Sequence, residues 1–146
     1  MKRSIRTVLG VTLLEIMLVL AIAGVVIAMS IRYYQQAATN QKVTAGMSAV
    51  MAVSSAVEQW ILGGGNTGLK TDIPLDKYFP GSSVPKSPWT SDLLTAKGAD
   101  SGGKYDITIT TTDQASCVLL IDQIKTQPNF QNSSCVNGTG TVKVNY

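Results

Sequence analysis

The side chains able to do chemistry are few, and their absences are informative. The sequence contains no histidine and only two cysteines, Cys117 and Cys135. The usual zinc sets and the Ser/His or Cys/His nucleophile pairs cannot be built from that inventory. An enzyme is therefore not expected, and no catalytic residue, metal ligand or cofactor is assigned. Asp72, Asp76, Asp92 and Asp100 offer oxygens for calcium, but their spacing follows no calcium-loop pattern, and they read as solvated surface. A single pair of cysteines behind an export-type N-terminus reads as one disulfide in an oxidising compartment. Closing that loop would contribute about 3 kcal/mol; two free thiols are the alternative. The remaining conspicuous group is Glu15, a carboxylate inside an apolar run. An unpaired charge at mid-membrane costs about 2.5 to 3.5 kcal/mol, so Glu15 needs a partner.

The elements that must position these groups follow from composition and periodicity. Only 14% of the 146 residues are charged, against about a quarter in an average soluble domain. Val11 to Ile31 (VTLLEIMLVLAIAGVVIAMSI) is apolar except for Thr12, Glu15 and Ser30, and as a helix it reaches about 31 Å, enough to cross a bilayer core. Lys2, Arg3 and Arg6 hold the N-terminus in the cytoplasm by the positive-inside bias, which exports everything after Arg32. Those three residues also supply all of the formal charge of +3. Without them the chain is neutral, which leaves no general electrostatic case for nucleic-acid binding.

Beyond the apolar run, Gly46, Val50, Val53, Val57 and Trp60 recur at spacings of three and four, the pattern of an amphipathic helix that packs on a core. No proline interrupts Val11 to Leu62, and Gly63, Gly64, Gly65 and Gly68 stop the helix, so one continuous rod of about 78 Å is predicted. Gly63 to Lys104 carries Pro74, Pro80, Pro85 and Pro88 and reads as a long connecting loop. Short turns are expected around Asp76 to Phe79 and Ser91 to Ala96, with Tyr78, Phe79 and Trp89 anchoring the loop to the core. Tyr105 to Thr112 alternates as a half-buried strand, and Thr141 to Tyr146 does likewise. Asp113 to Gln127 begins with a good N-cap residue, puts Cys117, Leu120, Ile121 and Ile124 on one face, and ends before Pro128, as a short helix would. Asn137-Gly138 is a turn signal between Ser133 to Val136 and the last strand. The fold class is thus α+β: a long N-terminal helix, apolar then amphipathic, packed on a small antiparallel sheet.

The string Lys2, Arg3, Arg6, Gly10, Val11, Thr12, Leu13, Leu14, Glu15 and the apolar run after it resembles the type IV pilin and pseudopilin family. Precursors of that family have a basic leader ending in glycine, then an apolar residue, a threonine and a glutamate. The resemblance implies that a prepilin peptidase cuts between Gly10 and Val11 and N-methylates Val11. It divides the chain into a leader (1–10), a transmembrane and assembly helix (11–31) and an exported globular domain (32–146). It also implies that Glu15 meets the new N-terminal amine of an adjacent subunit, so that processing creates the charge Glu15 lacks. The partners implied are other copies of the chain in a helical filament, the peptidase, inner-membrane assembly machinery, and the membrane before assembly. Location would be the bacterial inner membrane first and an extracellular pilus afterwards. Val11 as an aliphatic first residue, the cysteine within Asp113 to Ile121 and the string Arg32-Tyr33-Tyr34-Gln35-Gln36 are similar to the type IVb, bundle-forming branch; the ten-residue leader is short for it. Gly24 and Gly46 are expected as softer points of the helix.

The leading reading is a structural, major pilin, with a pseudopilin of a type II secretion or DNA-uptake machine as the alternative. An ordinary secretory signal cut after Ala21-Ile22-Ala23 is the rival for the N-terminus, but Glu15 interrupts its apolar stretch and hydrophobic sequence runs on to Ile31. A plain single-pass anchor leaves the order Gly-Val-Thr-Leu-Leu-Glu unexplained. Asn132-Ser133-Ser134 and Asn137-Gly138-Thr139 spell the N-glycosylation pattern and are read as chance matches. Recognition of whatever the protein adheres to is expected in the Gly63 to Lys104 and Asn129 to Gly140 segments.

Overall fold

The computed structural model describes residues 12–65, 72–79, 81, 83–99, 104–130 and 132–145. Helix α1 occupies Leu13–Leu62. Thr12 stands immediately before it, and its hydroxyl accepts a hydrogen bond from the Glu15 amide at 3.3 Å, which satisfies one of the donors a helix start leaves unpaired. The other end closes on the glycine run. Gly64 takes the left-handed φ of 92°, the Gly65 N–H donates to the Trp60 carbonyl and the Gly64 N–H to the Ile61 carbonyl, both at 3.0 Å. This is the Schellman pattern, and it turns the chain sharply off the helix axis.

The chain divides into two units, Met1–Ala38 and Thr39–Tyr146. The first is α1 from its start to Ala38. The second holds the rest of α1, a sheet and a second helix. Its strands are β1 (Thr95–Gly98), β2 (Lys104–Thr110), β3 (Ser134–Val136) and β4 (Thr139–Asn145), in the antiparallel order β1-β2-β4-β3. Helix α2 spans Gln114–Ile124.

The strand alternation sets the two faces of the sheet. Tyr105, Ile107 and Ile109 of β2 and Val142 and Val144 of β4 point inward and are buried. They meet Val43, Val50, Val53, Ala56 and Val57 of α1 and Cys117, Leu120, Ile121 and Ile124 of α2 in one core. The opposite face is ruled by threonines: Thr108 pairs with both Thr95 and Thr141, and Thr110 pairs with Thr139. β-Branched hydroxyl side chains favour the extended backbone and tolerate water.

Strand β1 corrects the expectation of a loop across Gly63 to Lys104. Its inward residues are Ala96 and Gly98, the two with least side chain, so the strand shows no apolar alternation in sequence. Antiparallel pairing to Tyr105 through Thr108 of the neighbouring strand β2 supplies what the single-strand pattern does not. The outer edge of β1 is covered in part: the Ile73 N–H donates to the Ala96 carbonyl at 2.9 Å, and Lys97 Nζ lies 3.2 Å from Asp72. The expected turn near Asp76 is a short 3-10 helix at Leu75–Lys77. Tyr78, Phe79 and Trp89 pack against the core from the connecting segment, as expected.

Candidate functional site: an apolar helix segment and a stapled hairpin

In the first unit every described residue from Thr12 to Gln36 is exposed. The exposed apolar side chains include Leu13, Leu14, Ile16, Met17, Leu18 and Val19, and they continue to Ile31. α1 is long and apolar enough to cross a membrane, by length and composition. The Ser30 hydroxyl donates back to the Val26 carbonyl at 2.8 Å, which hides that polar group within the helix. Glu15 sits in the first turn, beside Ile16, Val19 and Leu20 in an open surface depression. A carboxylate early in a helix is favoured by the N-terminal dipole. The apolar segment ends at Arg32, Tyr33 and Tyr34, all exposed.

In the second unit α1 behaves in the opposite way. Val43, Gly46, Val50, Val53, Ser54, Ala56 and Val57 are buried, at the three-and-four spacing of a core-facing stripe. Gly46 is explained by close approach: a Cβ there would lie 2.7 Å from the Trp89 ring and 3.3 Å from Leu120. Glycine at 46 lets the ring of the connecting segment lie directly on the helix backbone, and α1 runs through this position. Eight residues along the helix from Gly46, the Ser54 hydroxyl and the Tyr105 phenol share a buried hydrogen bond of 2.9 Å. That pair ties α1 to β2 and satisfies both polar groups inside the core.

Cys117 and Cys135 form a disulfide with a Cα–Cα distance of 6.1 Å. It joins α2 to β3, the short edge strand that pairs only through Ser134 to Val136. The start of α2 is tightly held. Asp113 is the N-cap: its carboxylate accepts from the Ser116 amide at 2.7 Å and the Ser116 hydroxyl at 2.9 Å. The Ser116 backbone bond first, and its side-chain bond second, hold the Asp113 pKa below the ordinary carboxylate value. Gln114 then reaches across to the hairpin, where its Nε2 donates to the Cys135 carbonyl at 3.3 Å and its Oε1 accepts from the Gly138 amide at 3.0 Å. Thr111 holds the same glycine from the other side, its N–H and its hydroxyl both donating to the Gly138 carbonyl at 2.8 Å.

The sequence-derived positions fall into three groups. Gly10 and Val11 lie outside the described residues. Glu15 is on the exposed apolar segment, and the cysteines are in the core of the second unit and at its edge strand. The sequence reading missed three contributors. Thr12 as a helix cap was legible in the Thr-x-x-Glu spacing to Glu15. The Ser54–Tyr105 pair and the Gln114 bridge were not, because each joins residues that only the tertiary fold brings together.

A long N-terminal helix on a small four-stranded antiparallel sheet, with one disulfide, is a pilin-like α+β fold. A fimbrial protein of Pseudomonas aeruginosa is 30% identical to this chain over 112 residues, which cover 76% of this chain and 65% of that protein. The match thus spans just under two thirds of the relative's length. No model of a known protein family matches the chain.

Proposed function

We propose that the chain is a structural subunit of a type IV pilus, a major pilin rather than an enzyme. The observation that carries this reading is the contrast within α1: exposed throughout and apolar but for Glu15 and Ser30 from Leu13 to Ile31, buried on one stripe from Val43 to Val57. An exposed apolar helix segment must be covered by lipid or by other copies of itself. A subunit that leaves the membrane for a fibre core meets both requirements in turn, and the similarity to a fimbrial protein supports this.

In this reading residues 1–10 are a leader that a prepilin peptidase removes between Gly10 and Val11, with N-methylation of Val11. Residues 11–31 are the membrane and assembly helix, and 32–146 are the exported domain. Glu15 pairs with the N-terminal amine of a neighbouring subunit, which replaces an isolated charge in an apolar setting by a compensated one. Localisation follows: inner membrane with a cytoplasmic N-terminus before assembly, extracellular fibre afterwards. The type IVb assignment rests on Val11 and the cysteine-bearing helix α2. The test is the intact mass and N-terminal sequence of protein sheared from cell surfaces. A methylated Val11 start, abundant in that fraction, is the expected result; a start at Gly24 overturns the reading.

A further inference from the structure

We propose that Asn137 is a latent deamidation site, and that the Gln114 side chain keeps it closed in the folded protein. Asn-Gly is the dipeptide most prone to this chemistry, because glycine offers its backbone nitrogen without a side chain in the way. The Gly138 nitrogen, after losing its proton to solvent base, adds to Cγ of Asn137. The Cγ–Nδ2 bond then breaks and the amide nitrogen leaves as ammonia, giving a five-membered succinimide. Water opens that ring at the side-chain carbonyl to give aspartate, or at the main-chain carbonyl to give isoaspartate.

The surroundings of Asn137 both invite and oppose that sequence. Asn137 and Gly138 form the two-residue turn between β3 and β4, with φ of 50° and 76°, and Asn137 is exposed to solvent. The attacking atom, however, is occupied. The Gly138 N–H donates to Gln114 Oε1 at 3.0 Å, and Gly138 is buried. Its carbonyl is fixed by the two Thr111 bonds. The Gln114 amide is itself oriented, since its Nε2 donates to the Cys135 carbonyl. Removing the Gly138 proton therefore requires the turn to detach from α2, a local opening whose free energy is added to the barrier.

The consequence of failure is structural. Isoaspartate inserts an extra backbone carbon in a turn that sets the register of β3 against β4, two residues from the disulfide at Cys135. Aspartate would add a negative charge near Asp113, which lines the same surface depression.

The experiment uses the full chain in detergent with the disulfide intact, held at mildly alkaline pH, with Asn, Asp and isoAsp at 137 separated by peptide mapping and mass spectrometry. The reduced, denatured chain gives the unguarded rate. Folded wild type and Gln114→Glu, which retains the acceptor, are expected to keep the Asn137 amide several-fold longer than the denatured chain. Gln114→Ala is expected to approach the denatured rate while still melting cooperatively. Equal rates in wild type and Gln114→Ala, or a wild-type rate equal to that of the denatured chain, overturn the proposal. Should Gln114→Ala not fold, hydrogen exchange of the Gly138 amide in wild type decides: strong protection supports the proposal, and exchange as fast as in an open loop overturns it.

Discussion

The two parts of helix α1 share a backbone conformation and differ in almost everything else. From Leu13 to Ile31 the surface is exposed and, but for Glu15 and Ser30, apolar all round; from Thr39 to Leu62 it is one-sided, with its apolar stripe closed against β2, α2 and the connecting segment. The difference shows that helicity and burial are separate problems. Helix formation in α1 needs only capped ends and no interior proline. Which solvent each part suits is decided by the distribution of apolar residues: a ring of them fits lipid or a helical bundle, a stripe fits a core.

If the comparison is right, substitutions in the two parts should have separable effects. The largest is expected at Glu15: on the proposed function, Glu15→Leu should abolish fibre formation in cells while the thermal melting of the Thr39–Tyr146 unit stays where it is. Recovery of normal fibres from that variant would remove the assembly role. Next, Cys117→Ser with Cys135→Ser should lower domain stability by about 3 kcal/mol, upwards of roughly 10 °C in melting temperature. Loss of the staple should leave membrane insertion of α1 unaltered. An unchanged melting temperature would show that β3 is held by its other contacts alone.

Filling the space at Gly46 comes third. Gly46→Val puts side-chain atoms where the Trp89 ring lies, and overpacking of this kind costs about 1 to 3 kcal/mol. The same exchange at Gly24, which has open space around it, should not shift the domain's melting temperature. Equal effects at the two glycines would erase the distinction between the parts of the helix.

Smaller still is the pH dependence contributed by Asp113. Its folded-state pKa is depressed, so its contribution is fully present above the unfolded carboxylate pKa and is lost as pH falls through the folded value. Asp113→Asn should accordingly flatten part of the acid limb of a stability-versus-pH curve and leave neutral-pH stability less affected than loss of the disulfide. An acid limb identical to wild type would assign the loss to other carboxylates. The least change of all is expected from chelation: EDTA should not move the melting temperature. A calcium-dependent shift would show that loop aspartates hold a metal and would favour the pseudopilin alternative.

Much of this architecture could be read from one sequence. The apolar run, the stripe from Gly46 to Trp60, the glycine stop after Leu62, the Asp113 cap and the Asn137-Gly138 turn are local signals, each written within a few residues. They determined the long helix, the capped second helix and the terminal hairpin, because 3.6-residue and two-residue periods and capping chemistry act over short separations. The tertiary structure alone decided the rest. It made a strand of Thr95-Ala96-Lys97-Gly98, whose small inward residues carry no local preference, and it gave Gly46 a packing partner in Trp89. It also brought Ser54 to Tyr105 and Gln114 to Gly138. The side-chain contacts among these join residues far apart in the chain, and their energy appears only once the backbone has closed the intervening loops, so no short window of sequence records them.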